Sequence, residues 1–137
     1  MRYLGIDFGS KKVGLALSDE AGTMGFPHSI VPNTPSLAGD IAALAEKEGV
    51  GMIVIGESRD FAGNDNPIAA AARDFAATLA ARTGLPVAWE PEMLTSREAR
   101  RAYEPVGKTR APRIHAAVDA SAAALILTSY LSKNQRA

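Results

Sequence analysis

Four consecutive apolar residues near the middle of the chain restrict its fold more than any other segment. Met52-Ile53-Val54-Ile55 lacks the polar alternation of a half-exposed strand, and such a run is typical of a strand that is covered on both faces. Strands of this kind belong to sheets that carry helices on both sides. The segment therefore predicts an α/β fold.

The segments around this strand predict the other elements. Strands are expected at Arg2 to Phe8, Val13 to Ser18, Gly25 to Val31 and Leu85 to Trp89, the last as a buried strand. Helices are expected from Leu37 to Glu48, Ile68 to Arg82, Ser96 to Tyr103 and Ile114 to Ser132. Ser36 is a candidate N-cap of the first helix, and Gly49 ends it. The order βββαβαβαα predicts a mixed five-stranded sheet flanked by helices, in one domain over residues 1–137.

Composition limits the chemistry. The chain has no cysteine and two separated histidines, which excludes thiolate catalysis and a zinc site of the usual ligands. Any metal must therefore be held by oxygen. No signal peptide or membrane-spanning apolar run is recognisable, so a soluble, cytoplasmic protein without a membrane partner is expected.

The formal charge is zero, but it is unevenly distributed. The two parts of the chain, residues 1–96 and 97–137, have net charges of −5 and +5. A basic cluster opens the second part, and four of its members are candidates for guiding a nucleic-acid backbone: Arg97, Arg101, Arg110 and Arg113. An ordinary solvated helix face is an alternative interpretation of the same residues.

Three acids stand where packing alone does not explain them. Asp7 ends the first apolar strand, before a turn that contains Lys11 and Lys12; alternatively, it only hydrogen-bonds the amides of that turn. Glu92 follows the last strand, where ligand sites of α/β sheets collect, and Glu90 precedes it with the same parity. Pro91 between them makes regular strand pairing unexpected.

Asp119 is the third acid. It lies among alanines in the last helix, so it is expected to be buried or nearly so, and a buried carboxylate needs a partner. His115, one turn earlier, is a structural alternative for that partner. If Asp7, Glu92 and Asp119 converge on one edge of the sheet, they can hold one or two Mg²⁺ or Mn²⁺ ions, which activate water for phosphodiester hydrolysis.

The same segments resemble a known family. Asp7-Phe8-Gly9-Ser10-Lys11-Lys12-Val13-Gly14, the glutamate before Leu94-Thr95-Ser96-Arg97, and Val118-Asp119-Ala120-Ser121 are similar to the signatures of the YqgF family of pre-16S rRNA nucleases, also called Holliday-junction-resolvase-like proteins. The resemblance implies a ribonuclease H-like fold, metal-dependent cleavage and a role in ribosomal RNA maturation. It places the acidic site on Asp7, Glu92 and Asp119, which are catalytic and metal-binding by that resemblance.

The chain also departs from the family pattern. Pro91-Glu92-Met93 replaces an Asp-Glu-Arg run, and Gly56 is followed by Glu57 and Ser58 instead of Leu-Pro. In the related junction resolvases, a metal-binding carboxylate resembles Glu57 in location, at the end of the fourth strand, and this resemblance makes Glu57 a hypothetical ligand that supplements or replaces Glu92.

Several functions remain open at this point. The expected enzyme is a nuclease in which Lys11 and Lys12 approach the scissile phosphate, with pre-rRNA, a ribosome precursor or branched DNA as partner. Alternatives are a Holliday junction resolvase and a non-catalytic RNA- or ribosome-binding protein. An actin-like kinase is disfavoured, because it needs two lobes. The protein is expected to be a monomer or a homodimer.

Overall fold

The computed structural model describes the backbone of residues 1–57, 67–91 and 111–134, and the side chains of residues 1–57, 68–91 and 121–133. The strands are β1 (Arg2–Phe8), β2 (Lys12–Ser18), β3 (Gly25–Pro32), β4 (Val50–Glu57) and β5 (Val87–Pro91). The helices of these segments are α1 (Leu37–Lys47), α2 (Pro67–Thr83) and α3 (Ala111–Asn134). Within the described residues, none of these helices has the combination of length and apolar character that crossing a membrane requires.

The five strands form one mixed sheet in the order β3-β2-β1-β4-β5. β1 pairs antiparallel with β2 and parallel with β4, and β5 continues the parallel part. β1 is therefore central, and the carboxyl ends of β1, β4 and β5 lie at the same edge of the sheet. The predicted α/β class with a mixed five-stranded sheet is confirmed.

Each face of the sheet packs on different helices. One face contributes the alternate residues Leu4, Ile6, Ile53 and Ile55 to a core cluster shared with α1 and α2. The other contributes Ala16 and Val54 to a second cluster, which is shared with α3. Ile53, Val54 and Ile55 are each completely buried, as the apolar run of β4 predicts.

Several local predictions need correction. β5 is an edge strand with half-buried Val87, Ala88 and Trp89, not a buried strand. Pro91 does stay in the strand, opposite Glu57, because an edge strand has one side on which no N–H group is needed. The predicted helix from Ser96 to Tyr103 lies outside the described residues.

The first helix begins and ends almost where expected. Ser36 occupies the N-cap position but makes no side-chain capping bond; its hydroxyl donates instead to the Asp40 carboxylate at 3.0 Å. Gly49 has φ = 66°, a left-handed conformation that glycine adopts without the strain of other residues.

Candidate active site at the carboxyl edge of the sheet

Asp7 lies at the carboxyl end of the central strand, on the face covered by α3. It is half-buried and pairs with Gly14 of β2. Strand residues alternate between faces, so Asp7 shares the face of Gly5. A Cβ atom added to Gly5 would lie 2.8 Å from the Leu127 Cβ atom and 3.0 Å from the Ala123 carbonyl oxygen. Asp7 therefore lies two residues beyond the point where β1 contacts α3, on the same face.

The strand positions beside Asp7 leave space around its side chain. Gly14 is its partner on β2. On β4, Gly56 is one residue beyond Ile55, which pairs with Ile6. Neither glycine carries a side chain that would occupy the α3 face next to Asp7. A row of small residues thus flanks the carboxylate at the edge where ligand sites of α/β sheets form.

The same row reaches a second carboxylate, Glu90 of β5, which pairs with Gly56. Two strand spacings separate it from Asp7, or about 10 Å. The Glu90 side chain is buried, and its Oε2 atom accepts hydrogen bonds from the Lys133 ammonium at 2.6 Å and the Ser129 hydroxyl at 2.7 Å. Glu90 therefore joins β5 to the end of α3 as one member of a structural ion pair.

Glu57 ends β4 on the other face. It follows Gly56 and is opposite Pro91, and alternation gives it the face of Ile55, which belongs to the cluster with α1 and α2. Asp7 is on the α3 face. This arrangement disfavours the hypothesis that Glu57 replaces Glu92 as a ligand beside Asp7.

The other two predicted acids are described only in part. Glu92 lies outside the described residues, and the structure describes the backbone but not the side chain of Asp119. Among the side chains that are described, no three acidic, histidine or cysteine groups are close enough to hold a metal ion. The predicted three-carboxylate arrangement therefore stays a prediction.

The course of α3 nevertheless bears on Asp119. The Tyr130 ring lies near the Tyr3 ring, with 6.4 Å between centroids, whereas Ala123 and Leu127 contact the position of Gly5. Later residues of β1 thus lie beside earlier residues of α3, so the strand and the helix run antiparallel. Asp119 precedes Ala123 by one helical turn in sequence, toward the carboxyl edge of β1.

The basic candidates fall into two groups. Lys11 and Lys12 are exposed in and after the β1–β2 turn, close in sequence to Asp7. Of the arginines, Arg97, Arg101 and Arg110 lie outside the described residues, and the side chain of Arg113 in α3 is not described. His115, the structural alternative for a partner of Asp119, belongs to the same stretch of α3 and is likewise known by its backbone alone.

Asn33 holds the turn that carries the lysines, and the sequence did not reveal this role. Its side-chain Nδ2 group donates to the Gly9 carbonyl at 2.8 Å, and its backbone N–H donates to the Lys11 carbonyl at 2.9 Å. In the sequence, Asn33 is recognisable only as part of the turn-rich run Pro32-Asn33-Thr34-Pro35. Both bonds require β3 to end beside the β1–β2 turn, which depends on the strand order.

Comparison with known proteins adds a family match to this geometry. Residues 1–133 match the model of a family described as "RuvX: Holliday junction resolvase". A protein of Acidiphilium cryptum described as "Putative pre-16S rRNA nuclease" is 39% identical over 132 residues, which cover 95% of this chain and 83% of the relative. A protein of Pelotomaculum thermopropionicum with the same description is 38% identical over 139 residues, with 99% and 90% covered.

Solved structures are similar in fold. The RuvC structure of Thermus thermophilus has a TM-score of 0.60 at 15% identity, with 99% of this chain and 97% of that chain covered. The fowlpox virus resolvase in complex with Holliday junction DNA has a TM-score of 0.58 at 11% identity, with 98% and 99% covered. These similarities confirm the predicted ribonuclease H-like fold.

Proposed function

Because this chain belongs to the RuvX family of Holliday junction resolvases, we propose that it is a metal-dependent nuclease that cleaves the precursor of 16S ribosomal RNA. The family match and the relatives' descriptions support a phosphodiester-hydrolysing enzyme. The choice of pre-16S rRNA as substrate rests on what those relatives are called. From action on that precursor we also infer a cytoplasmic location.

The observation that carries this proposal is the position of Asp7. A half-buried carboxylate at the end of the central strand, between Gly14 and Gly56 and beside the parallel ends of β4 and β5, is poorly explained by packing. Its oxygens are hard donors, which suit Mg²⁺ or Mn²⁺. The donor chemistry at this edge therefore fits a divalent cation.

We assign the cation to Asp7, Glu92 and Asp119. The engagement of Glu90 with Lys133 and Ser129 favours Glu92 over Glu90 as the ligand that follows β5. The antiparallel course of α3 supports Asp119. When bound, such a cation neutralises charge on phosphate oxygens and makes water a stronger nucleophile. The three carboxylates hold and orient it.

Basic side chains serve the substrate in this proposal. Lys11 and Lys12 are exposed beside the site, where their ammonium groups can neutralise the scissile phosphate. Arg97, Arg101, Arg110 and Arg113 guide the nucleic-acid backbone and contribute affinity that falls as salt rises. The entire chain, residues 1–137, acts as one nuclease domain.

A four-way DNA junction is the second candidate substrate. The family description names Holliday junction resolution, and the likeness of the fold to RuvC agrees with a nuclease scaffold. Resolution of a symmetric junction calls for two active sites in a homodimer, whereas a monomer is sufficient to process an RNA end. The oligomeric state during cleavage thus separates the two candidates.

The deciding experiment compares both substrates directly. A labelled pre-16S rRNA fragment and a four-way DNA junction are incubated with wild-type protein in Mg²⁺, Mn²⁺ or EDTA. The expected result is metal-dependent cleavage of the RNA that falls at least about 100-fold in Asp7→Asn, because losing a group that positions the cation removes several kcal/mol, roughly, of transition-state stabilisation.

Asp40→Asn is the matched control. Asp40 is an exposed aspartate in the first turn of α1, a helix that packs on the opposite face of the sheet from α3, and its substitution should leave cleavage unchanged. Cleavage of the junction alone would select the second candidate. RNA binding without cleavage of either substrate, unaffected by EDTA or Asp7→Asn, would contradict the nuclease and favour a non-catalytic RNA-binding protein.

A further inference from the structure

The turn between β1 and β2 is held by a residue from outside the hairpin. Asn33 follows the last residue of β3, and Pro32 pairs there with Lys12. Its side-chain amide donates to the Gly9 carbonyl and its backbone N–H to the Lys11 carbonyl, at 2.8 and 2.9 Å. The two bonds thus span the turn from its first residues to the start of β2.

The turn has little room to change shape in this conformation. A Cβ atom added to Gly9 would overlap the Lys12 carbonyl oxygen, so the backbone on the two sides of the turn is already in close contact. The turn also carries both lysines on the exposed side. Lysine has a long, freely rotating side chain, so the backbone beneath it decides where its ammonium group is available.

We propose that Asn33 is a positioning residue for substrate binding: its side-chain amide fixes the β1–β2 turn so that Lys11 and Lys12 face the phosphates of the nucleic acid at the Asp7 edge. The inference rests on the proposed function for the identity of the ligand. Asn33 itself touches no substrate in this scheme. Its contribution reaches the nucleic acid through the two lysines alone.

The test measures binding without catalysis. Affinity for a 20-nucleotide single-stranded RNA is measured in EDTA at several salt concentrations, for wild type, Asn33→Ala, Lys11→Ala/Lys12→Ala and the triple variant. Removal of one neutral hydrogen bond should weaken binding about three- to tenfold. The salt slope should also fall toward that of the lysine double variant, by about 0.7 for each phosphate that the protein no longer neutralises.

The triple variant gives the sharpest result. If Asn33 acts through the lysines, its substitution should have no further effect once they are absent, so the effects on affinity are not additive. Ser36→Ala is the matched control, because it also removes side-chain hydrogen bonds, but to Thr34 and Asp40, which lie outside the β1–β2 turn. Thermal unfolding checks that each variant is folded, and Asn33→Ser replaces Asn33→Ala if the latter is not.

Two outcomes would overturn the inference: unchanged affinity and salt slope in Asn33→Ala, or effects that add fully to those of the lysine variants. Neither outcome affects the nuclease, which depends on the cleavage experiment. If wild type cleaves neither substrate, the proposal of a nuclease is wrong, while the binding measurements in EDTA still decide the role of Asn33. If wild type does not bind this RNA in EDTA, the proposed role of Asn33 fails, while the cleavage experiment still decides whether the protein is a nuclease.

Discussion

Glu90 is a buried carboxylate whose charge is compensated by partners from α3. Only 3% of the residue is exposed, and it accepts bonds from Lys133 and Ser129 of α3. An uncompensated carboxylate in such a place would be costly. Glu90 is therefore engaged with α3, so Glu92 is the better candidate ligand of the two acids that flank Pro91.

Removing the Lys133 partner should destabilise the protein. We expect Lys133→Ala to lower the free energy of unfolding by about 1–2 kcal/mol, because the buried Glu90 carboxylate then keeps, among the residues that the structure describes, the Ser129 hydroxyl alone. The effect is smaller than for a fully buried pair, since the Lys133 side chain is 60% exposed and solvent screens it. Urea unfolding at neutral pH measures the change.

Lys47→Ala is the control for this prediction. Lys47 is an exposed lysine in the last turn of α1, and its removal should change stability by no more than about 0.5 kcal/mol. Equal effects of the two substitutions would show that Glu90 does not depend on Lys133.

Residue-scale features were predictable where the reason is local. Asp7 interrupts an apolar strand next to a turn, which sequence alone reveals. The partners of Glu90 are about forty positions away, and Asn33 reaches Gly9 from the residue that follows β3. Such contacts depend on strand order and helix direction, which no short pattern encodes.

At the scale of elements, α3 packs closely against the sheet at two glycines. Gly5 of β1 and Gly25 of β3 face α3, and a Cβ atom on either would lie within 3.0 Å of Leu127. The Thr128 hydroxyl also accepts a bond from the Gly25 N–H at 2.9 Å. The absence of two side chains therefore lets the helix that carries Asp119 approach the strand that carries Asp7.

Gly5→Ala should disturb both stability and activity. The added methyl group meets the Ala123 carbonyl oxygen and the Leu127 Cβ atom, which cannot rotate away, so α3 must shift. We expect a decrease of about 1–3 kcal/mol in unfolding free energy. Cleavage should fall further than the unfolded fraction explains, because the shift separates Asp119 from Asp7. Urea unfolding and the cleavage assay measure the two effects.

Gly39→Ala makes the same chemical change in α1. Its new Cβ atom would meet, among the described residues, only the end of the Arg82 side chain, at 3.3 Å. That side chain can move, and alanine favours a helix over glycine by about 0.5–1 kcal/mol. Unchanged or higher stability is therefore expected. If Gly5→Ala behaves like Gly39→Ala, the close contact of α3 with β1 is not important.

The described elements were largely predictable from sequence, because each has a clear period or apolar run. The predictions were wrong mainly about where strands begin and end. β5 lies two residues later than predicted and includes Pro91, and β4 is longer than predicted, from Val50 to Glu57. Whether a strand is interior or at an edge depends on which strands pair with it. The sequence therefore could not show that β5 is less buried than β4.

For the whole molecule, two apolar clusters on opposite faces of the sheet support the fold without any metal. The proposed cation site lies at the edge of the sheet, outside both clusters. Chelation should therefore abolish cleavage without unfolding the protein. The cation should still add stability, since a ligand that binds only the folded state shifts the folding equilibrium.

This linkage tests the site without any substrate. At a free Mn²⁺ concentration ten times its dissociation constant, the gain is about 1.4 kcal/mol, which corresponds to a rise in Tm of roughly 5 °C for a protein of this size. The rise should be largely absent in Asp7→Asn and kept in Asp40→Asn, measured by thermal unfolding with and without Mn²⁺. An equal rise in both variants would mean that Mn²⁺ binds elsewhere, and the assignment of the cation to Asp7 would then be wrong even if the protein cleaves RNA.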